Sequence, residues 1–129
     1  MDDRKKDLSE YRLSQAEDSV KVAKMSFDNG LFKDSINRSY YAAFYAVKAV
    51  LALEEVDFKR HKDAIGYFNK NYVATEKFPK ELGRKMGMLK QLREKSDYDD
   101  FYIAGREEAE MQINTALRMI QEVKGYVNL

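Results

Sequence analysis

Chemistry in this chain has few places to reside, and the one histidine, His61, is the first of them. It stands in the run Lys59-Arg60-His61-Lys62. Alone, it cannot form a pair with a second histidine within one chain. Two readings are open. His61 shares a three–four spacing with Ile65, Phe68 and Tyr72, so it can pack or cap at the start of a helix. Alternatively the basic run makes an anion-binding corner at a helix N-terminus. The aromatic residues could stack on bases, but most lie at core spacing. Tyr41 and Tyr45, close to Arg38 and Lys48 along the same helix, are the best exposed candidates, or else they line a dimer contact. Asp97, Asp99 and Asp100 could offer oxygens to a hard cation only if more ligands converged on them, and a solvated turn is the simpler reading. The chain contains no phosphate-binding glycine loop, HExxH pair or GxSxG elbow. No metal or cofactor is expected.

The elements that must position these residues are helical. Asn37 to Leu53 carries one charge after Tyr40, at Lys48, and is apolar nearly all round, which predicts a helix at the centre of a bundle. Its alanines, Ala42, Ala43, Ala46, Ala49 and Ala52, let neighbouring helices come close. Tyr40, Tyr41, Phe44 and Tyr45 supply bulk, and their buried hydroxyls need partners. Before it, Leu13, Ala16, Val20, Ala23 and Phe27 mark one face of a helix starting near Asp7 or Ser9 and stopping at Asp28-Asn29-Gly30. That short turn predicts antiparallel neighbours.

After Leu53, residues 54–60 read as a loop and His61 to Tyr72 as a third helix. Val73 to Phe78 is a second connection, and Pro79 suits the first turn of a fourth helix. There Leu82, Met86, Leu89 and Leu92 form the inward stripe, Arg93 lies at its edge, and Gly83 and Gly87 permit close packing. Residues 96–105 interrupt the pattern. A last helix carries Ala109, Ile113, Ala116, Ile120, Val123 and Val127, with Glu107 and Glu108 at its positive end. The expected fold is all-α: one domain spanning residues 1–129, an antiparallel up-and-down bundle of about five helices, two of them short.

Composition agrees. The 44% hydrophobic and 35% charged residues, with one proline, suit a compact helical protein. Without cysteine there is no disulfide scaffold and no cysteine zinc site. The start of the chain has no apolar stretch of signal-peptide type, and the longest apolar run, residues 40–53, is too short to span a bilayer. A cytoplasmic protein without membrane contact is expected. The net charge of +1 does not advertise nucleic-acid binding. Locally, however, Lys80, Arg84, Lys85, Lys90, Arg93 and Lys95 face only Glu81 and Glu94, before acidic residues reverse the sign.

Three landmarks together resemble the HEPN domain family (higher eukaryotes and prokaryotes nucleotide-binding), in its small stand-alone branch. They are Asn37-Arg38-Ser39-Tyr40-Tyr41-Ala42-Ala43-Phe44, His61 opening the next helix, and Leu92-Arg93 through Asp97-Tyr98. The resemblance runs from about Ala16 to near the C-terminus. It implies a helical bundle, frequently a homodimer, and partnership with a minimal nucleotidyltransferase in a toxin–antitoxin-type pair. Active HEPN ribonucleases carry an arginine followed four to six residues later by histidine, two such motifs meeting across a dimer to cleave RNA without metal. Arg93 takes the arginine's place here, but Tyr98 stands five residues on. A tyrosine that titrates near pH 10 is a poor base at neutral pH. The position of the family's modified tyrosine falls on Asp100, so that site does not carry over.

Three functions follow. The first is a nucleotide- or RNA-binding or protein-interaction module without the intact motif, with Arg38, Tyr41, His61, Arg93, Asp97 and Tyr98 as candidate binding residues. The second is a metal-free ribonuclease toxin using Arg93 with Tyr98 or His61, which requires His61 to approach Arg93 in space. The third is a structural oligomerisation module with no nucleotide. We expect the first, non-catalytic reading.

Overall fold

The computed structural model describes residues 3–128, and among them every regular element is a helix. The α-helices are α1 (Arg4–Asp28), α2 (Phe32–Leu53), α3 (His61–Phe68), α4 (Lys80–Tyr98) and α5 (Arg106–Val127). A π-helical turn, Asn69–Val73, extends α3. Only α3 is short. No helix among the described residues is long and apolar enough to cross a membrane.

The stretch that is apolar nearly all round lies at the centre. Each of the other four α-helices packs on α2. Ala42, Ala43, Ala46, Ala49 and Ala52 are all buried, so the neighbours approach the α2 backbone closely. Two buried serines tie α1 to α2. Ser9 Oγ donates to the Ala49 carbonyl at 2.7 Å and Ser35 Oγ to the Ala23 carbonyl at 2.8 Å. These pairings run the two helices antiparallel.

The turn between them is a glycine-closed helix end. Gly30 takes a φ of +74°, and the Leu31 and Gly30 N–H groups reach back to the Ser26 and Phe27 carbonyls. The start of α1 differs from the sequence reading: the helix begins at Arg4, and Ser9 bonds across to α2 rather than capping it. At the other end of α2, Glu54 accepts hydrogen bonds from the Tyr67 hydroxyl at 2.6 Å and from the Tyr72 hydroxyl. Those two donors hold its carboxyl below the usual carboxylate range, and they strap α3 and the π turn onto the bundle.

Pro79 occupies the cap position of α4, as expected. Of the two glycines, only Gly83 marks a close approach, since a Cβ there would lie 2.9 Å from Val73 Cγ1. A Cβ on Gly87 meets open space, so the packing role assigned to it does not hold. The end of α4 also departs from expectation. The helix continues through Ser96, Asp97 and Tyr98 instead of breaking at Ser96. Arg93 and Asp97 therefore sit one helical turn apart, which allows them to pair.

Candidate functional site

Residues far apart in the chain converge where α2, the start of α3 and the last turns of α4 meet. From α2 come Asn37, Arg38, Tyr40, Tyr41 and Phe44; α3 brings His61; α4 brings Lys90, Arg93 and Asp97. Arg93 organises the group. Its Nε lies 3.1 Å from Asp97 Oδ2 in a half-buried ion pair, and its Nη2 is 3.4 Å from the Tyr41 hydroxyl, a long contact. Its guanidinium carbon stands 5.1 Å from the Tyr40 ring centre and 5.4 Å from that of Tyr41. Such cation–π contacts place a planar cation without using up its hydrogen bonds. Arg38 brings a second guanidinium to Tyr41, also at 5.4 Å. Asn37 Nδ2 donates to Asp97 Oδ2 at 3.3 Å, which steadies the carboxylate from α2.

His61 faces inward rather than completing a basic corner. Its ring stacks on Phe44 with centres 4.0 Å apart, and its Nδ1 is 3.1 Å from the Tyr40 hydroxyl. Arg60, its neighbour in the basic run, turns instead onto Asp63 at 2.9 Å. Tyr40 is fully buried, and burial pushes its phenol up to about 12 against the pull of Arg93. It stays protonated at any physiological pH. When Tyr40 donates to Nδ1, His61 Nε2 carries the proton as a donor; when Nδ1–H donates, Nε2 is a free base. Burial and then the Arg93, Lys48 and Lys90 cations hold His61 below the ordinary histidine range. At pH 7 the ring is neutral.

That shift has a consequence for stability. A histidine with a depressed folded-state pKa takes up its proton more readily when unfolded. Folding stability is then complete above the ordinary value near 6.5 and falls as pH drops from there toward the folded-state value. Chemical denaturation at pH 7.0 and 5.5 should show the wild type losing stability over this interval and His61→Gln losing less. Equal losses in both proteins would remove His61 as the cause.

The candidate binding residues divide clearly. Arg38, Tyr41, His61, Arg93 and Asp97 share this one corner, and His61 and Arg93 both bear on Tyr40. Tyr98 stands apart. It lies about 140° round α4 from Arg93 at 100° per residue, and it is 77% exposed. Asp97 is committed to Arg93, while Asp99 accepts the Phe101 N–H at 3.0 Å. Among the described residues no group of three or more His, Cys, Asp or Glu is placed to hold a metal ion. Spacing alone does not single out Asn37, Phe44 or Lys90 as site residues. The buried Tyr40 hydroxyl finds its partner in His61.

Comparison with known proteins agrees with the fold. A family model for the HEPN domain matches residues 9–126. A Thermotoga maritima UPF0332 protein is 32% identical over 96 residues, 74% of this chain and 73% of that one. A Methanocaldococcus jannaschii protein, named as a candidate toxin, is 27% identical over 118 residues, 92% of this chain and 80% of that one. The crystal structure of an archaeal HEPN homologue superposes with a TM-score of 0.74 at 21% identity, covering 92% of this chain and 97% of that chain. At that identity the likeness concerns the fold alone.

Proposed function

Because this chain belongs to the HEPN domain family, we propose that it is a binding module for single-stranded RNA or a nucleotide, acting in a toxin–antitoxin-type pair. One observation carries the reading: two guanidiniums, of Arg38 and Arg93, converge on the partly exposed Tyr41 beside His61. Guanidinium planes held over a half-exposed ring can stack a base and take its phosphates. The toxin-style name of a relative supports the pairing. The partner we propose is a minimal nucleotidyltransferase, the partnership implied by the family resemblance.

The test is a gel retardation assay with labelled single-stranded RNA and purified protein in chelator. A shifted band without fragments is expected. No shift at micromolar protein overturns the RNA reading. Fragments would instead favour a second reading, a metal-free ribonuclease. A specific observation gives that reading weight: His61, neutral at pH 7, and Arg93 meet at Tyr40 within one chain. In that reading His61 serves as the base and Arg93 neutralises charge on the phosphate.

The same proposal makes the protein a homodimer. Tyr98, Phe101 and Ile103 are 77%, 94% and 86% exposed along the end of α4 and the loop after it. Met88 and Met111 are exposed nearby, across the groove between α4 and α5. Several large apolar side chains bared in one region mark an interface. Light scattering at micromolar concentration should give twice the monomer mass, and Phe101→Ser should return it to the monomer. A wild-type monomer would refute the dimer.

A further inference from the structure

The loop that delivers His61 to the cluster is tied down at one carboxylate. Backbone hydrogen bonding after α2 ends with Val56 N–H reaching Leu51 O, and it resumes at the Arg60 carbonyl. Between them stands Asp57. Its Oδ1 is 3.6 Å from Lys48 Nζ on α2, and its Oδ2 is 3.7 Å from Arg12 Nη2 on α1. Oδ1 also accepts the Phe58 N–H at 2.9 Å. Arg12 is itself fixed, its Nη1 donating to the Lys48 carbonyl at 3.0 Å. The two cations are largely buried, with side-chain exposures of 12% and 23%, so they are held in place and stripped of much of their water. A partly desolvated cation needs an anion, and Asp57 is the one that reaches both.

We infer that Asp57 is a positioning residue for the His61 cluster, clamping residues 54–60 across Arg12 and Lys48 so that His61 enters α3 with its ring on Phe44. The place of the first residue of α3 is decided by this loop, by the rings of α2 on which His61 rests, and by the α4 cations beside it. The clamp also touches the site electrically. Lys48 Nζ lies 5.9 Å from the centre of Phe44, the ring on which His61 stacks.

Three cations bear on His61: Lys48 from α2, and Lys90 and Arg93 from α4. Each has its own carboxylate, respectively Asp57, Glu94 and Asp97. The other titratable groups facing the ring are Tyr40 and Tyr41 of α2, while Arg60 and Asp63 at the start of α3 satisfy one another. Asp57 thus joins the geometry of the loop to the charge around His61. Burial works against its ionisation, yet the Phe58 N–H, Lys48 and Arg12 hold it below the usual carboxylate range.

The relevance of the clamp to RNA rests on the function proposed above, but the clamp can be tested without RNA. His61 is the sole histidine, so its ring protons give one NMR titration curve. Asp57→Asn should move the His61 midpoint to lower pH, because Lys48 is no longer neutralised. Lys48→Met should move it higher, and in that background Asp57→Asn should move it less than in the wild type, since only the tie to Arg12 remains to be lost. Amide exchange at Asp63 and Ala64, whose N–H groups bond the Arg60 carbonyl, should quicken about threefold in Asp57→Asn, the scale of one exposed ion pair, with the global unfolding midpoint unchanged. An unmoved His61 curve, unaltered exchange, or an equal effect of Asp57→Asn in both backgrounds would each overturn the clamp. RNA retention measured in parallel should weaken by about the same factor. A wild type that retains no RNA refutes the binding proposal, while the NMR arms still judge the clamp.

Discussion

Replacing Arg93 with alanine is expected to weaken retention of single-stranded RNA about tenfold or more, the scale of one lost charge-assisted hydrogen bond. Arg93 contacts Tyr40, Tyr41 and Asp97 at once. Its removal takes a cation from the proposed phosphate path and leaves Asp97 as an unbalanced, half-buried carboxylate. A stability loss of about 1–3 kcal/mol should accompany the binding loss. The two readouts must therefore be taken together. If stability falls and RNA retention does not, the Arg93–Asp97 pair is a strut and carries no ligand. Arg93→Lys should fall between wild type and alanine, since it keeps the charge and loses the planar fork.

Phe68→Ala is expected to have the largest effect on stability, about 3–5 kcal/mol. Phe68 is fully buried, with its ring centre 5.6 Å from that of Tyr72 and 5.1 Å from that of Phe78. These rings join α3, the π turn and the segment before α4 into the main core. Because a domain of this size is stabilised by only about 5–15 kcal/mol, much of the margin would go. Urea unfolding should show a lower midpoint with an unchanged slope. His61, at the opposite end of α3, should also lose its fixed contact with Phe44 as the short helix loosens. A cost below about 1 kcal/mol would mean that α3 is not integral to the fold.

Much of the fold was legible because burial in a helical bundle repeats along each helix. Leu13, Ala16, Val20 and Ala23 of α1 are all buried, as are Leu82, Met86 and Leu89 of α4 and Ala109, Ile113, Ala116, Ile120 and Val123 of α5. Leu92, assigned to the same inward stripe, instead lines the groove between α4 and α5 and is only partly buried. Periodicity describes one helix at a time, and the neighbour that covers a face lies outside it. For the same reason Ser9, a suitable cap by type, is engaged by a carbonyl forty residues away. Asp97 and Tyr98, in a stretch that reads as a break, remain helical and differ by one residue, so only Asp97 meets Arg93.

Taken by itself, then, the sequence determined the helical class, the central place of α2, the antiparallel start and the residue types from which a site could be made. Local propensity and apolar spacing suffice for these, because each is a property of a few consecutive turns. Tertiary structure alone decided which of those residues form a site. Tyr40 reaches His61 across 21 positions and Arg93 reaches Tyr41 across 52. Contacts at such separations depend on how helices are rotated against one another and on loops such as the one Asp57 holds. Nothing within a single turn encodes them. They arise when the whole core closes around α2 and leaves Tyr41, His61 and Arg93 at the same corner.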